Sequence, residues 1–223
     1  MKRLRRHSLS LGFGALFLAA LIGQAFAGLA EFNNQQIAEG LATVDLGRYV
    51  TSADFAVDVT ENWQSEYLQF FLYVVLTVWW VQRGSPESKQ LDERGRESDE
   101  KQKVGKYARP DSPQWVKAGG WRTKIYSTSL GLLMATVFLA CWLVQSVAGW
   151  SAFNEQQLGQ LQDPLSWLSY LGSADFWSRS LQNWQSELLA VGSMAVFSIY
   201  LRQRGSPESK PVGTSHDSTG IAG

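Results

Sequence analysis

Charged residues are absent from two long stretches of this chain, and that segregation limits its possible folds more than any other feature. Leu9–Ala30, "LSLGFGALFLAALIGQAFAGLA", and Ile125–Trp150 are each long enough to cross a hydrocarbon layer, which takes about 20 helical residues. Two shorter apolar runs, Tyr67–Val81 and Leu188–Leu201, reach that length only by borrowing residues on their N-terminal sides. The borrowed residues are the same both times: "NWQSE" at Asn62–Glu66 and again at Asn183–Glu187. The pattern predicts an all-α membrane protein with four transmembrane helices, over about 9–30, 62–82, 125–150 and 183–203.

The first run also imitates a secretory signal, with Lys2, Arg3, Arg5 and Arg6 before it and "AFA" at Ala25–Ala27. The third run repeats its features in mid-chain, where signal cleavage does not operate, so an uncleaved span is expected. Lys and Arg set the orientation. Only Arg48 and Arg179 fall in the two segments that follow the first and third runs; all other basic residues lie in the tails or in the 83–124 connection. Both termini are therefore expected in the cytoplasm, with the acidic intervening segments outside.

Composition removes several functions. Net charge is zero and the pI is about 6.7, which argues against nucleic acid as a partner. One cysteine, Cys141, permits no internal disulfide, and the two histidines, His7 and His216, lie in opposite tails. No phosphate loop, dinucleotide fingerprint, HExxH or GxSxG motif is present, so no catalytic residue, metal or cofactor is assigned and the chain is expected not to be an enzyme.

Shifted by 121 residues, the chain aligns with itself without a gap. "FNNQQ" at Phe32–Gln36 meets "FNEQQ" at Phe153–Gln157, "SADF" at Ser52–Phe55 meets Ser173–Phe176, and "QRGSPESK" at Gln82–Lys89 meets Gln203–Lys210. Tyr49 meets Tyr170 and Gln24 meets Gln145; about forty per cent of aligned positions are identical, beyond what shared hydrophobicity would produce. Two tandem hairpins of like orientation are expected, a parallel repeat. The first repeat covers 1–89 and the second 122–210. The mixed-charge linker 90–121 and the tail 211–223 bury too little to order themselves. Short amphipathic helices are expected in the outer segments, with new helices capped at Ser52 and Ser173.

Small residues line the first span at Ala15, Ala19, Gly23 and Ala27, and the third at Thr136, Ala140, Cys141, Ala148 and Gly149. Such stripes let helices approach closely, so Gln24 and Gln145 beside them should face protein and find partners there. At 1.5 Å per residue, Gln24 and Glu66 fall at one depth, as do Gln145 and Glu187. The candidate site is thus a polar cluster of Gln24, Asn62, Gln64, Glu66, Gln145, Asn183, Gln185 and Glu187. Its structural reading makes Asn62 a helix cap and Trp63 and Trp184 interfacial anchors. Its functional reading takes Glu66 and Glu187 as intramembrane carboxylates for a proton or cation. In "RGSPESK", Arg83 and Arg204 would anchor at the inner interface while Gly84, Pro86, Gly205 and Pro207 stop the helices.

At the paired "NWQSE…QRGSPESK" and "GxxxFNxQQ…YLGSADF" blocks the chain resembles a family of uncharacterised bacterial integral membrane proteins, catalogued as a domain of unknown function. The resemblance covers both repeats but not the linker or extreme tails. It implies a multi-pass protein of the bacterial plasma (inner) membrane and transfers no functional residue. The first copy departs from the second in "EGLATVDLGRYV" against "QLQDPLSWLSYL". The expected role is a non-enzymatic scaffold or accessory subunit; the alternative is a small transporter or channel subunit. The expected partners are the lipid bilayer and either a second copy or another membrane protein.

Overall fold

In a computed structural model that describes residues 5–223, the chain is helical, with no strand among those residues. The helices are α1 (Ser8–Ala38), α2 (Leu46–Val50), α3 (Ala53–Leu76), α4 (Gln114–Lys117), α5 (Gly120–Ser127), α6 (Ser129–Gly159), α7 (Trp167–Leu171) and α8 (Ala174–Tyr200). Ser8, Leu46 and Ala53 open α1, α2 and α3; Ser129, Trp167 and Ala174, each 121 residues later, open α6, α7 and α8.

Two helices, α1 and α6, are long and apolar enough to cross a membrane, not the four expected. The helices α3 and α8 are long, but their N-terminal halves carry too many polar residues to qualify. The expected boundaries also move. The first helix continues past Ala30 to Ala38, because nothing interrupts it before Gly40, whose φ of 72° suits glycine. The third begins at Ala53, not Asn62, because Ser52 already accepts the Phe55 N–H at 3.2 Å. Likewise Ser173 caps α8 by accepting from Phe176 at 3.2 Å, with Asp175 in the favourable first turn. Both NWQSE copies therefore lie mid-helix, and Asn62 is not a cap. The same helix α3 ends at Leu76 rather than near 82, and just beyond it the Gly95 N–H takes the Val78 carbonyl at 2.6 Å.

The chain divides into two compact units that cut across both repeats. One runs to Thr60 and includes Val144–Gly172; the other comprises Glu61–Leu143 and Ser173–Gly223. In the first unit, identical residues build the same turn twice. The Asn33 side chain accepts the Val44 N–H at 2.8 Å and donates to the Val44 carbonyl at 3.0 Å; Asn154 does the same to Leu165 at 2.8 and 2.9 Å. Tyr49 and Tyr170 are buried, each packing on a phenylalanine, Phe32 or Phe153, at a ring separation of 5.6 Å. Their hydroxyls occupy the space a side chain would need at Gly28 and Gly149. These glycines serve close approach rather than backbone freedom.

The second unit holds an aromatic cluster and the two QRGSPESK loops. Phe138, Trp142, Phe176, Trp177 and Trp184 contact one another with ring centroids 5.5 to 6.4 Å apart, which fills the space between them. The linker and tail, which composition alone would leave unordered, carry definite local structure. Helix α4 and the first two residues of α5 fall in the linker, and the Thr123 hydroxyl, just past it, bonds the linker's Trp115 carbonyl at 2.8 Å. Tail amides at Gly220 and Gly223 bond the Ser85 and Ser209 carbonyls at 3.0 and 2.8 Å. Order here comes from backbone hydrogen bonds, which hydropathy does not register.

Candidate functional site

The two pentapeptides sit on α3 and α8 within the second unit. In each, the serine hydroxyl bonds its own helix at 2.8 Å, Ser65 to Asn62 and Ser186 to Asn183. The Asn183 amide turns back to the Arg179 carbonyl at 2.9 Å. Gln64 is completely buried; its nitrogen donates to the Glu61 carbonyl at 3.0 Å, and its oxygen accepts the Trp184 indole N–H at 2.8 Å. The second pentapeptide is thereby bonded to the first. Gln185, the repeat partner of Gln64, is exposed.

Around this bond lie residues outside the repeated motifs. Arg179 pairs with Glu61 at 3.2 Å and with Asp175 at 3.4 Å. The Trp142 indole donates to the buried Ser180 hydroxyl at 3.2 Å. None of Glu61, Trp142, Arg179 and Ser180 matches its counterpart in the other copy, so duplication gives no sign of them. The opposite charges of Glu61 and Arg179 were the available signal.

Of the remaining candidates, Glu66 is exposed and Glu187 is half-buried. Gln24 is half-buried on α1. Gln145 is 1% exposed, yet neither atom of its amide has a hydrogen-bond partner, so the partner expected for it is not there. Trp63 is 38% exposed, whereas Trp184 lies within the aromatic cluster.

The QRGSPESK copies also fold alike. In each, glycine has a positive φ, 85° at Gly84 and 82° at Gly205. The Ser88 hydroxyl accepts the Gln82 N–H at 2.8 Å and donates to the Lys89 carbonyl at 3.0 Å; Ser209 does this with Gln203 and Lys210 at 3.0 and 3.1 Å. The motif is a loop rather than a helix stop, since α3 and α8 have already ended at Leu76 and Tyr200. Where α8 ends, Arg202 covers the Ser198, Ile199 and Leu201 carbonyls at 3.3, 3.0 and 2.8 Å. Arg83 and Arg204 are exposed, and Arg83 pairs with Asp217 at 3.3 Å. Tyr73 donates to Glu87, and the neighbouring Glu87 carboxyl holds the Glu208 pKa above the usual carboxylate value. Among the described residues no three His, Cys, Asp or Glu side chains gather as metal ligands.

These features define a helical protein whose repeated motifs build turns, loops and one inter-helix bond. The model of a protein family described as "Domain of unknown function (DUF6766)" matches residues 1–221, and the chain belongs to that family. No curated protein and no solved structure matches it.

Proposed function

We propose that this is a four-span integral protein of the bacterial inner membrane, formed by two tandem hairpins. It acts without chemistry of its own, as a scaffold or accessory subunit that presents its outer segments. The observation that carries this reading is an inverted solvent pattern. On the long helices Gln64, Ser65, Gln145, Ser146 and Ser180 are at most 3% exposed, while Leu9, Phe13, Leu16, Phe26, Leu133 and Leu189 are more than half exposed. Water favours the opposite arrangement; hydrocarbon favours this one, because there polar groups must be satisfied inside the protein. The helices α3 and α8 count as spans because Gln64, Ser65 and Ser180 turn inward and the Trp184 indole bonds Gln64, while the apolar C-terminal half of α8 is largely exposed.

The scaffold role is supported by how firmly the outer segments are built. The Asn33 and Asn154 clamps and the Tyr49 and Tyr170 seats hold both turns, yet Ile37, Leu41, Leu158, Leu161 and Leu168 remain more than half exposed. Fixed apolar groups on a small surface suit docking to another protein. A photo-crosslinking residue at Leu161 or Leu168 in intact cells should give one discrete protein adduct; recovery of lipid adducts alone removes the scaffold role. Tags on both tails should label only after permeabilisation. Tails on opposite faces would remove the four spans.

A second reading, a proton or cation pathway, takes the repeated carboxylates Glu66 and Glu187 as its groups.

A further inference from the structure

Lys210, the last residue of the second QRGSPESK loop, is 1% exposed, although lysine is rarely buried without a countercharge. Its ammonium donates to four backbone carbonyls: Gly84 at 2.6 Å, His216 at 2.9 Å, Ser215 at 3.1 Å and Ser218 at 3.2 Å. An ammonium has three protons, so one bond is shared. Burial holds its pKa below the usual lysine value; Arg202 adds to that, and Asp217 opposes it.

One of these carbonyls belongs to the first loop and three to the tail. The lysine therefore ties the second loop, the first loop and the tail at a single point. Further bonds fasten the same tail. The Gly84 N–H donates to the Thr219 hydroxyl at 2.8 Å, Gly220 to the Ser85 carbonyl at 3.0 Å and Gly223 to the Ser209 carbonyl at 2.8 Å. Apolar contact adds little, since Val212 and Ile221 are 53% and 45% exposed. Lys89, the repeat partner of Lys210, holds the other chain continuation: it bonds the Gly95 carbonyl at 3.1 Å and pairs with Glu97 at 3.0 Å. In both copies the motif lysine folds back whatever follows it.

We propose that residues 211–223 form a strap, locked by the Lys210 ammonium over the backbone of the first loop at Gly84 and Ser85, which opens as a unit when that lock is removed. A segment held by hydrogen bonds and little apolar burial belongs to the low-stability end of a structure, and loss of the shared donor leaves several carbonyls unpaired together. Closed, the strap walls a cavity of about 600 Å³ with Thr219 and Ile221 facing Arg83, Lys89 and Leu91. Opening removes that wall and takes Asp217 away from Arg83.

The test is hydrogen–deuterium exchange on the full chain in detergent micelles. In the unaltered protein, peptides covering 211–223 exchange at least about tenfold more slowly than an unstructured peptide, the ratio that about 1.4 kcal/mol of protection gives. Lys210→Met removes that protection and leaves the linker peptides near Gly95 unchanged, while Lys89→Met does the reverse. Thr219→Val, a milder change, speeds exchange at Gly84 and Gly220. Exchange of the tail at the unstructured rate in the unaltered protein overturns the strap without any variant; unchanged tail protection in Lys210→Met overturns the lock.

Discussion

The Trp184 indole nitrogen donates to the side-chain oxygen of Gln64 at 2.8 Å, so the tryptophan of the second NWQSE bonds the glutamine of the first. The chain writes the pentapeptide twice, but uses the copies unequally: one supplies a buried acceptor, the other a donor set in an aromatic cluster.

That asymmetry is measurable. Gln64→Leu leaves the indole N–H without its acceptor and should cost about 1–3 kcal/mol, as Trp184→Phe should by stranding the Gln64 oxygen. The double variant should cost less than the sum, with a coupling of about 1 kcal/mol in thermal unfolding in detergent. Strict additivity would show that the bond carries no stability.

Gly28 and Tyr49 are in such close contact that any side chain at Gly28 meets the tyrosine hydroxyl. Gly28→Ala should destabilise by about 1–3 kcal/mol through overpacking. Adding Tyr49→Phe removes the clashing oxygen and should recover part of the loss. The same pair of changes at Gly149 and Tyr170 should behave alike, because the geometry is repeated. No rescue at either position would place the clash elsewhere.

The Glu87 carboxyl beside Glu208 raises the Glu208 pKa, because a proton shared between the two relieves their like charge. A carboxyl raised in the folded state binds its proton more tightly there than in the unfolded chain. The pair is therefore strained above the raised value and relieved as pH falls through it toward the ordinary carboxylate range. Spin labels on the two loops should report a narrower distance distribution at mildly acidic than at neutral pH. Glu208→Gln should abolish the difference; a pH response that survives in this variant assigns it to another group.

Glu66→Gln with Glu187→Gln separates the two functional readings. If the carboxylates serve packing, the double variant folds and shows the same proton flux in proteoliposomes as the unaltered chain. A pH-dependent flux in the unaltered chain that this variant loses would favour the pathway reading over the scaffold.

What was legible beforehand was local or carried by chemistry that acts within a few residues. The Ser52 and Ser173 caps, the apolar character of α1 and α6, and the recurrence at 121 residues all stand in the letters, because caps, helix faces and duplicated segments are decided by near neighbours. The lengths of the helices were less legible: α1 runs on to Ala38, since an uninterrupted helix passes from apolar into polar residues without a signal, while α3 stops at Leu76 inside its apolar run. Only the tertiary structure decided which polar groups meet. Gln64 with Trp184, Glu61 with Arg179 and Lys210 with Gly84 join residues far apart in the chain, and one of those pairs, Glu61 with Arg179, has no like residues in the other copy. A buried donor takes whichever acceptor packing brings within about 3 Å, and that distance is set by how whole helices and loops come together, not by the residues that flank it.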